Sequence, residues 1–123
     1  MKGLALLLLA TFAIQAWARP MEPFHVDVFA KDQKNGNRVV VLFYAWWNKY
    51  SRDEKSAVQI LTEIKAYSAL KTYVVDFSDL EVRKKFNVDK VSTMIVFQGE
   101  QELGRGVNLA DGDAVEELIR KLY

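Results

Sequence analysis

Seven consecutive positions, Val39 to Ala45, are apolar or aromatic, and the polar stretch Asn48-Lys49-Tyr50-Ser51 follows after two tryptophans. An uninterrupted run of this length, preceded by Arg38, predicts a strand buried on both faces of a sheet. From Ser51 the period changes to that of a helix. Ala57, Ile60, Leu61, Ile64 and Ser68 fall at i, i+3, i+4, i+7 and i+11, a largely apolar stripe with Lys55, Glu63 and Lys65 outside it. Ser51 followed by Glu54 matches a capping box, in which each side chain satisfies a free N–H of the first turn. In an open α/β sheet the loop that joins such a strand to such a helix is where ligands gather, so Trp46 to Ser51 is the first place to look for function.

The remaining pattern is weaker but consistent. Phe24, Val26 and Val28 alternate like a strand, while Val26, Phe29, Ala30 and Gln33 keep helical spacing, which predicts a strand giving way to a short helix. Asn35-Gly36-Asn37 is a turn. Thr72 to Phe77 is rich in β-branched and aromatic residues and reads as a second strand. Ser78 and Glu81 repeat the capping-box spacing at the start of a helix from Asp79 to Phe86, and Asn87 to Lys90 turns the chain. Thr93 to Phe97 predicts a third strand, linked through Gln98-Gly99-Glu100 to a hairpin partner from Gln101 to Arg105. Gly104 and Gly106 flank Arg105, where a bulge or a close backbone approach is expected. Val115, Leu118, Ile119 and Leu122 form a last amphipathic helix begun near Asp111. The fold class is therefore α/β: a mixed sheet of four to five strands, parallel where helices connect them and antiparallel at the hairpin, with helices on both faces.

The N-terminus adds a compartment. Lys2, the apolar core Leu4 to Ile14 and the small residues of Ala16-Trp17-Ala18 have the form of a cleaved secretory signal over residues 1–18. An uncleaved anchor is the alternative, and a membrane is expected as a partner only in that case. The expected destination is a periplasm, with secretion to the extracellular space as the other exported fate. Residues 19–23, with two prolines, read as a tether, and residues 24–123 as one domain. Without Lys2, 16 basic residues face 16 acidic ones, a balance that argues against nucleic acid as a partner. The sequence has no cysteine, so thiol chemistry is excluded, and its one histidine, His25, makes no transition-metal site. No cofactor and no metal are expected.

The order of elements, with Phe43-Tyr44-Ala45-Trp46-Trp47 leading into a helix, resembles the thioredoxin family. Phe86-Asn87-Val88, Val91-Ser92-Thr93, Phe97-Gln98-Gly99-Glu100 and Gly104-Arg105 carry the likeness onward at family spacing, from about Phe29 to the C-terminus. The family's chemistry rests on two cysteines at the N-terminus of that helix, where free N–H groups and the helix dipole favour the thiolate. The resemblance sets Asn48 and Ser51 at those positions. It sets Leu42 at the buried acid of the central strand and Ser92 at the proline, cis in relatives, that faces the active-site turn. Replacement at all four suggests a lineage that has abandoned redox chemistry.

Without the thiols, Asn48 and Ser51 read as helix caps and no residue reads as catalytic. Trp47, Lys49 and Tyr50 on the turn, with Val91, Ser92 and Thr93 on the facing loop, are the expected surface for a protein or an extended peptide; Tyr44 is expected in the core. A chaperone-like or accessory member of a disulfide oxidoreductase pathway is the alternative. A cis bond before a residue other than proline costs about 3 to 4 kcal/mol, so Val91-Ser92 is expected to be trans.

Overall fold

Every residue of the central strand from Val39 to Phe43 is inaccessible to water, so this strand must be covered on both sides. The computed structural model describes residues 19–123 and shows how. The elements are β1 (Glu22–Pro23), α1 (Val26–Lys34), β2 (Arg38–Tyr44), α2 (Lys49–Thr62), a 3-10 turn (Lys65–Tyr67), β3 (Lys71–Asp76), α3 (Leu80–Phe86), β4 (Thr93–Gln98), β5 (Gln101–Val107) and α4 (Gly112–Arg120). The strands make one five-stranded sheet in the order β1-β3-β2-β4-β5. β1 and β2 run parallel to β3, while β4 runs antiparallel to both β2 and β5.

Because strand side chains alternate, β2 feeds two cores of different character. Val39, Val41 and Phe43 point to one face, where Phe29 of α1 and Val82 and Phe86 of α3 join Tyr73, Val75, Ile95 and Phe97. Val40 and Leu42 point to the other, where Val58 and Leu61 of α2 and Val115, Leu118 and Ile119 of α4 meet Met94 and Val96. The first core is aromatic, with the Phe29 ring packed edge-on against Phe86 and Phe97 at 5.4 and 5.2 Å between centroids. The second is aliphatic but for Tyr67.

Four sequence expectations are corrected. The segment after Phe24 is helical from Val26, and the strand before it is Glu22–Pro23, in register with Tyr73 and Val74. Residues 19–23 are thus part of the domain and not a tether: Met21 is buried in the aliphatic core, and Arg19 donates to the Ser68 carbonyl at 2.6 Å. The apolar stripe of α2 is rotated from the expected one. Ser51, Glu54, Val58 and Leu61, at i, i+3, i+7 and i+10, face the sheet, while Ile60 is 62% exposed and Ile64 46%. Tyr44 is only half-buried, with Lys55 Nζ 5.0 Å from its ring centroid. The hairpin runs on to Val107, with a bulge that leaves Leu103 between the Val96–Gly104 and Phe97–Glu102 pairs. The close approach expected near Arg105 is present at Gly106, where a Cβ would lie 2.7 Å from Leu109 Cδ2. The expected signal segment, residues 1–18, lies outside the described residues. Among those described, no helix is long and apolar enough to cross a membrane.

Candidate functional site

The turn from β2 into α2 is closed by three polar side chains. Asn48 is the N-cap: its Oδ1 accepts the Ser51 N–H at 3.1 Å. Ser51 is therefore not the cap but the third residue inside the helix, with its side chain turned inward. There its Oγ accepts the Ala45 N–H at 3.1 Å and lies 2.6 Å from Ser92 Oγ. Ser92 in turn donates its hydroxyl proton to Asn48 Oδ1 at 2.9 Å. The directions of these bonds follow from the chemistry of the groups. An amide oxygen only accepts, so the Ser92 proton is committed to Asn48, and the 2.6 Å contact must carry the Ser51 proton to Ser92. Both hydroxyl protons of the ring have an acceptor, and neither Ser51 nor Ser92 has any exposed surface.

The Ser92 loop is built for this arrangement. The Val91-Ser92 bond is trans, as expected, and Ser92 has a φ of 61°, a left-handed conformation that costs a residue with a Cβ about 1 kcal/mol. Its N–H donates to the Phe43 carbonyl at 3.0 Å, and its own carbonyl accepts the Asn108 N–H at 3.1 Å. The loop is thereby sewn to both β2 and the end of β5. Thr93 is buried as well, with its hydroxyl donating to the Lys90 carbonyl at 2.6 Å.

Of the expected contact surface, Trp47, Lys49 and Tyr50 are exposed, Val91 is half-buried, and the Ser92 and Thr93 side chains are enclosed. The serine and threonine side chains are thus placed in the fold's interior, where their hydroxyls are taken up by neighbours. Trp46 belongs with the exposed group at 75%, beside Trp47 at 59% and Tyr50 at 44%. Arg52 reaches back to the Trp46 carbonyl at 2.9 Å and holds the turn. Leu42, at the position the family resemblance gives to a buried acid, is wholly enclosed between Val74 and Met94.

A carboxyl group does occur nearby, in a place the sequence reading missed. Glu54 does not reach back to the helix start as a capping box requires. It points inward one turn beyond Ser51, with no exposed surface; Oε2 accepts the Leu109 N–H at 3.3 Å and Oε1 has no partner. Burial pushes its pKa from 4.5 up to about 8, and the Leu109 N–H offsets only part of that rise. A second buried acid, Asp32, accepts hydrogen bonds from the Tyr73 hydroxyl and from Asn37 Nδ2. Burial first, and the Asp32 carboxylate next, hold the Tyr73 hydroxyl well above the ordinary phenol range. The Ser78–Glu81 capping box is also replaced: Asp79 caps α3 by accepting the Val82 N–H at 3.2 Å.

Chemically, the ring offers Ser51 no base. Its neighbours are a backbone N–H and a second hydroxyl, and neither accepts a proton strongly enough to make serine a nucleophile. Among the described residues no three histidine, aspartate or glutamate side chains gather in a way that would hold a metal ion.

No model of a known protein family matches the chain, and no curated protein is similar to it in sequence. Solved structures are. Trxlp from Edwardsiella tarda is 25% identical, with a TM-score of 0.74 over 80% of this chain and 97% of that one. A mutant thioredoxin from Halobacterium salinarum is 20% identical, with a TM-score of 0.72 over 86% of this chain and 92% of that one. Thioredoxin from Malassezia sympodialis is 18% identical, with a TM-score of 0.71 over 84% of this chain and 93% of that one. The five-stranded mixed sheet, its covering helices and these likenesses agree: the chain has the thioredoxin-like fold and lacks the Cys-x-x-Cys motif.

Proposed function

We propose that this is a redox-inactive, exported thioredoxin-like domain that binds a protein or an extended peptide and performs no catalysis. The observation that carries the reading is the contrast within one turn. The Ser51 and Ser92 hydroxyls and the Asn48 amide oxygen are taken up by one another, while Trp46, Trp47 and Tyr50 stand in water beside them. Neighbouring exposed aromatics are enriched where proteins meet, because each buries a large area at small entropic cost. The closed ring fixes the base of the turn and leaves its aromatic rim as the surface offered to a partner, with Lys49 and Val91 at its border.

Capture of a partner from the native envelope fraction by the tagged domain tests this. Trp47→Ala combined with Tyr50→Ala is expected to abolish recovery, and unchanged recovery would refute the turn as the site. Suppression of aggregation of an unfolded client separates the chaperone-like alternative, which predicts protection of many clients and no single partner. Export rests on residues 1–18; a mature chain whose first residue is Arg19, read by mass spectrometry, is the expected product, and an intact N-terminus on the purified protein would count against it.

A further inference from the structure

We propose that the loop joining β5 to α4 is a lid over the Glu54 carboxyl, closed while that carboxyl keeps its proton and released when it ionises. This stands on the packing around Glu54 and does not depend on the function assigned to the aromatic turn. From Val107 to Asp113 every residue is exposed except Leu109, which packs on the aliphatic core. Gly106 gives it a seat, since a Cβ there would lie 2.7 Å from Leu109 Cδ2. Hydrogen bonds tie the loop to other elements at two points: the Asn108 N–H donates to the Ser92 carbonyl at 3.1 Å, and the Leu109 N–H to Glu54 Oε2 at 3.3 Å.

Below the lid, Glu54 has no exposed surface and its Oε1 has no partner. A neutral carboxyl tolerates this enclosure. A carboxylate does not, because one long bond from Leu109 is a poor exchange for the water it would lose. The other walls are regular structure: Ser51, Val58 and Leu61 are buried along α2, and Leu42 and Met94 of the sheet are wholly enclosed. The loop is the wall with the fewest buried groups, and Asn108 in it has a φ of 52°, a left-handed conformation that opening would relax. Local openings start in such segments, so water reaches the ionised carboxyl by lifting Leu109 rather than by unfolding the sheet. Burial, which raises the Glu54 pKa to about 8, puts the change there.

No charged neighbour competes for this proton. On α2, Asp53 lies 3.4 Å from Lys49, Lys55 lies over Tyr44 and Arg52 bonds the Trp46 carbonyl. At the head of α4, Asp111 accepts the Ala114 N–H and Asp113 is exposed. Further along it, Glu116 accepts the Tyr67 hydroxyl and lies 3.5 Å from Arg120, and Glu117 is exposed. Lys121, just past its end, lies beside Gly104. Arg105 of β5 is held by Glu102 and by the Phe86 and Asn87 carbonyls. Arg38 of β2 reaches the Leu122 carbonyl, and β4 carries no charged residue. Burial and the Leu109 N–H are accordingly what set the Glu54 ionisation.

Nuclear magnetic resonance of the purified protein, labelled with carbon-13 at leucine methyls and glutamate carboxyls, tests the lid. As pH rises through about 8, the Leu109 methyls are expected to move toward unfolded-chain positions together with the Glu54 carboxyl titration, while Leu61 and Leu118 keep their folded positions. Glu54→Gln should leave Leu109 in its folded position throughout. Leu109→Ala, which takes away the cover without touching the carboxyl, should lower the Glu54 midpoint by about one pH unit. Three results would overturn the proposal: Leu109 methyls that stay folded while Glu54 titrates, Leu61 and Leu118 moving with Leu109, or the same Leu109 change in Glu54→Gln. An unchanged Glu54 midpoint in Leu109→Ala would do so too, and that variant decides the matter if Glu54→Gln does not fold.

Discussion

Ser51 and Glu54 lie one turn apart on the same inward face of α2, both fully enclosed, both among side chains that are otherwise mostly apolar. Ser51 sits in a ring where both hydroxyl protons have an acceptor. Glu54 has one weak bond from Leu109 and an oxygen with none. The first insertion costs the fold little, because a buried hydroxyl with its bonds made is close to neutral. The second is held at the expense of ionisation, because desolvation penalises the charged carboxylate and no cation lies near to offset it. Polarity in a core is therefore not one quantity; what matters is whether the partners arrive with it.

The largest expected effect comes from removing the unsatisfied group. Glu54 has a folded pKa of about 8 against an ordinary 4.5, so between those values the folded chain keeps a proton that the unfolded chain has released. Its contribution to stability is lost as pH rises through that window and stays lost above it. Glu54→Leu should therefore stabilise the domain relative to wild type by about 3 to 5 kcal/mol more at pH 9 than at pH 4, at about 1.36 kcal/mol per pKa unit. Urea unfolding at the two pH values measures the difference, and an equal gain at both would contradict the assignment. Glu54→Gln, which keeps the shape and removes the charge, should show most of the same pH-dependent gain.

Breaking the satisfied ring should act in the opposite direction and less strongly. Ser51→Ala leaves the Ala45 N–H buried without an acceptor and is expected to destabilise by about 1 to 3 kcal/mol. Combined with Ser92→Ala in a double-mutant cycle, it should show coupling of about 0.5 kcal/mol or more, whereas additive losses would mean that the two hydroxyls do not share a bond. Asn48→Ala removes the cap and should cost about 1 kcal/mol in the unfolding free energy. Smallest of all, Trp47→Ala should change stability by no more than about 0.5 kcal/mol, since the ring is largely in water; a larger loss would place it in the core and not on a contact surface.

Much of the fold was legible from the chain. The run Val39 to Ala45 announced a doubly covered strand, and the hairpin, the short third strand and the final helix capped by Asp111 all appear where their patterns put them. The phase of α2 was not legible. Ala57, Ile60 and Leu61 make one acceptable stripe and Ser51, Glu54, Val58 and Leu61 make another, turned part of the way round the helix. A hydrophobicity pattern prefers the first because serine and glutamate count as surface residues. The choice falls to the second once Ser51 is tied inward to Ala45 and Ser92, since side chains at i+3, i+7 and i+10 must follow it. β1 was missed for a related reason: two residues carry no period, and only the neighbouring Lys71–Asp76 strand gives Glu22 and Pro23 something to pair with.

The candidate site divides along the same line. Sequence alone established that no thiol is available, that the aromatic strand leads into a helix through a turn of tryptophans, and that Asn48 and Ser51 are residue types suited to a helix start. These are local properties, set by residue chemistry and by spacing of a few positions. Tertiary structure alone decided that Ser92 crosses 41 residues of chain to close a ring with Ser51, that Glu54 is shut away from water, and that two isoleucines are left on the outside. Hydrogen bonds and desolvation depend on which groups meet across the sheet, and no pattern within a single helix records that meeting.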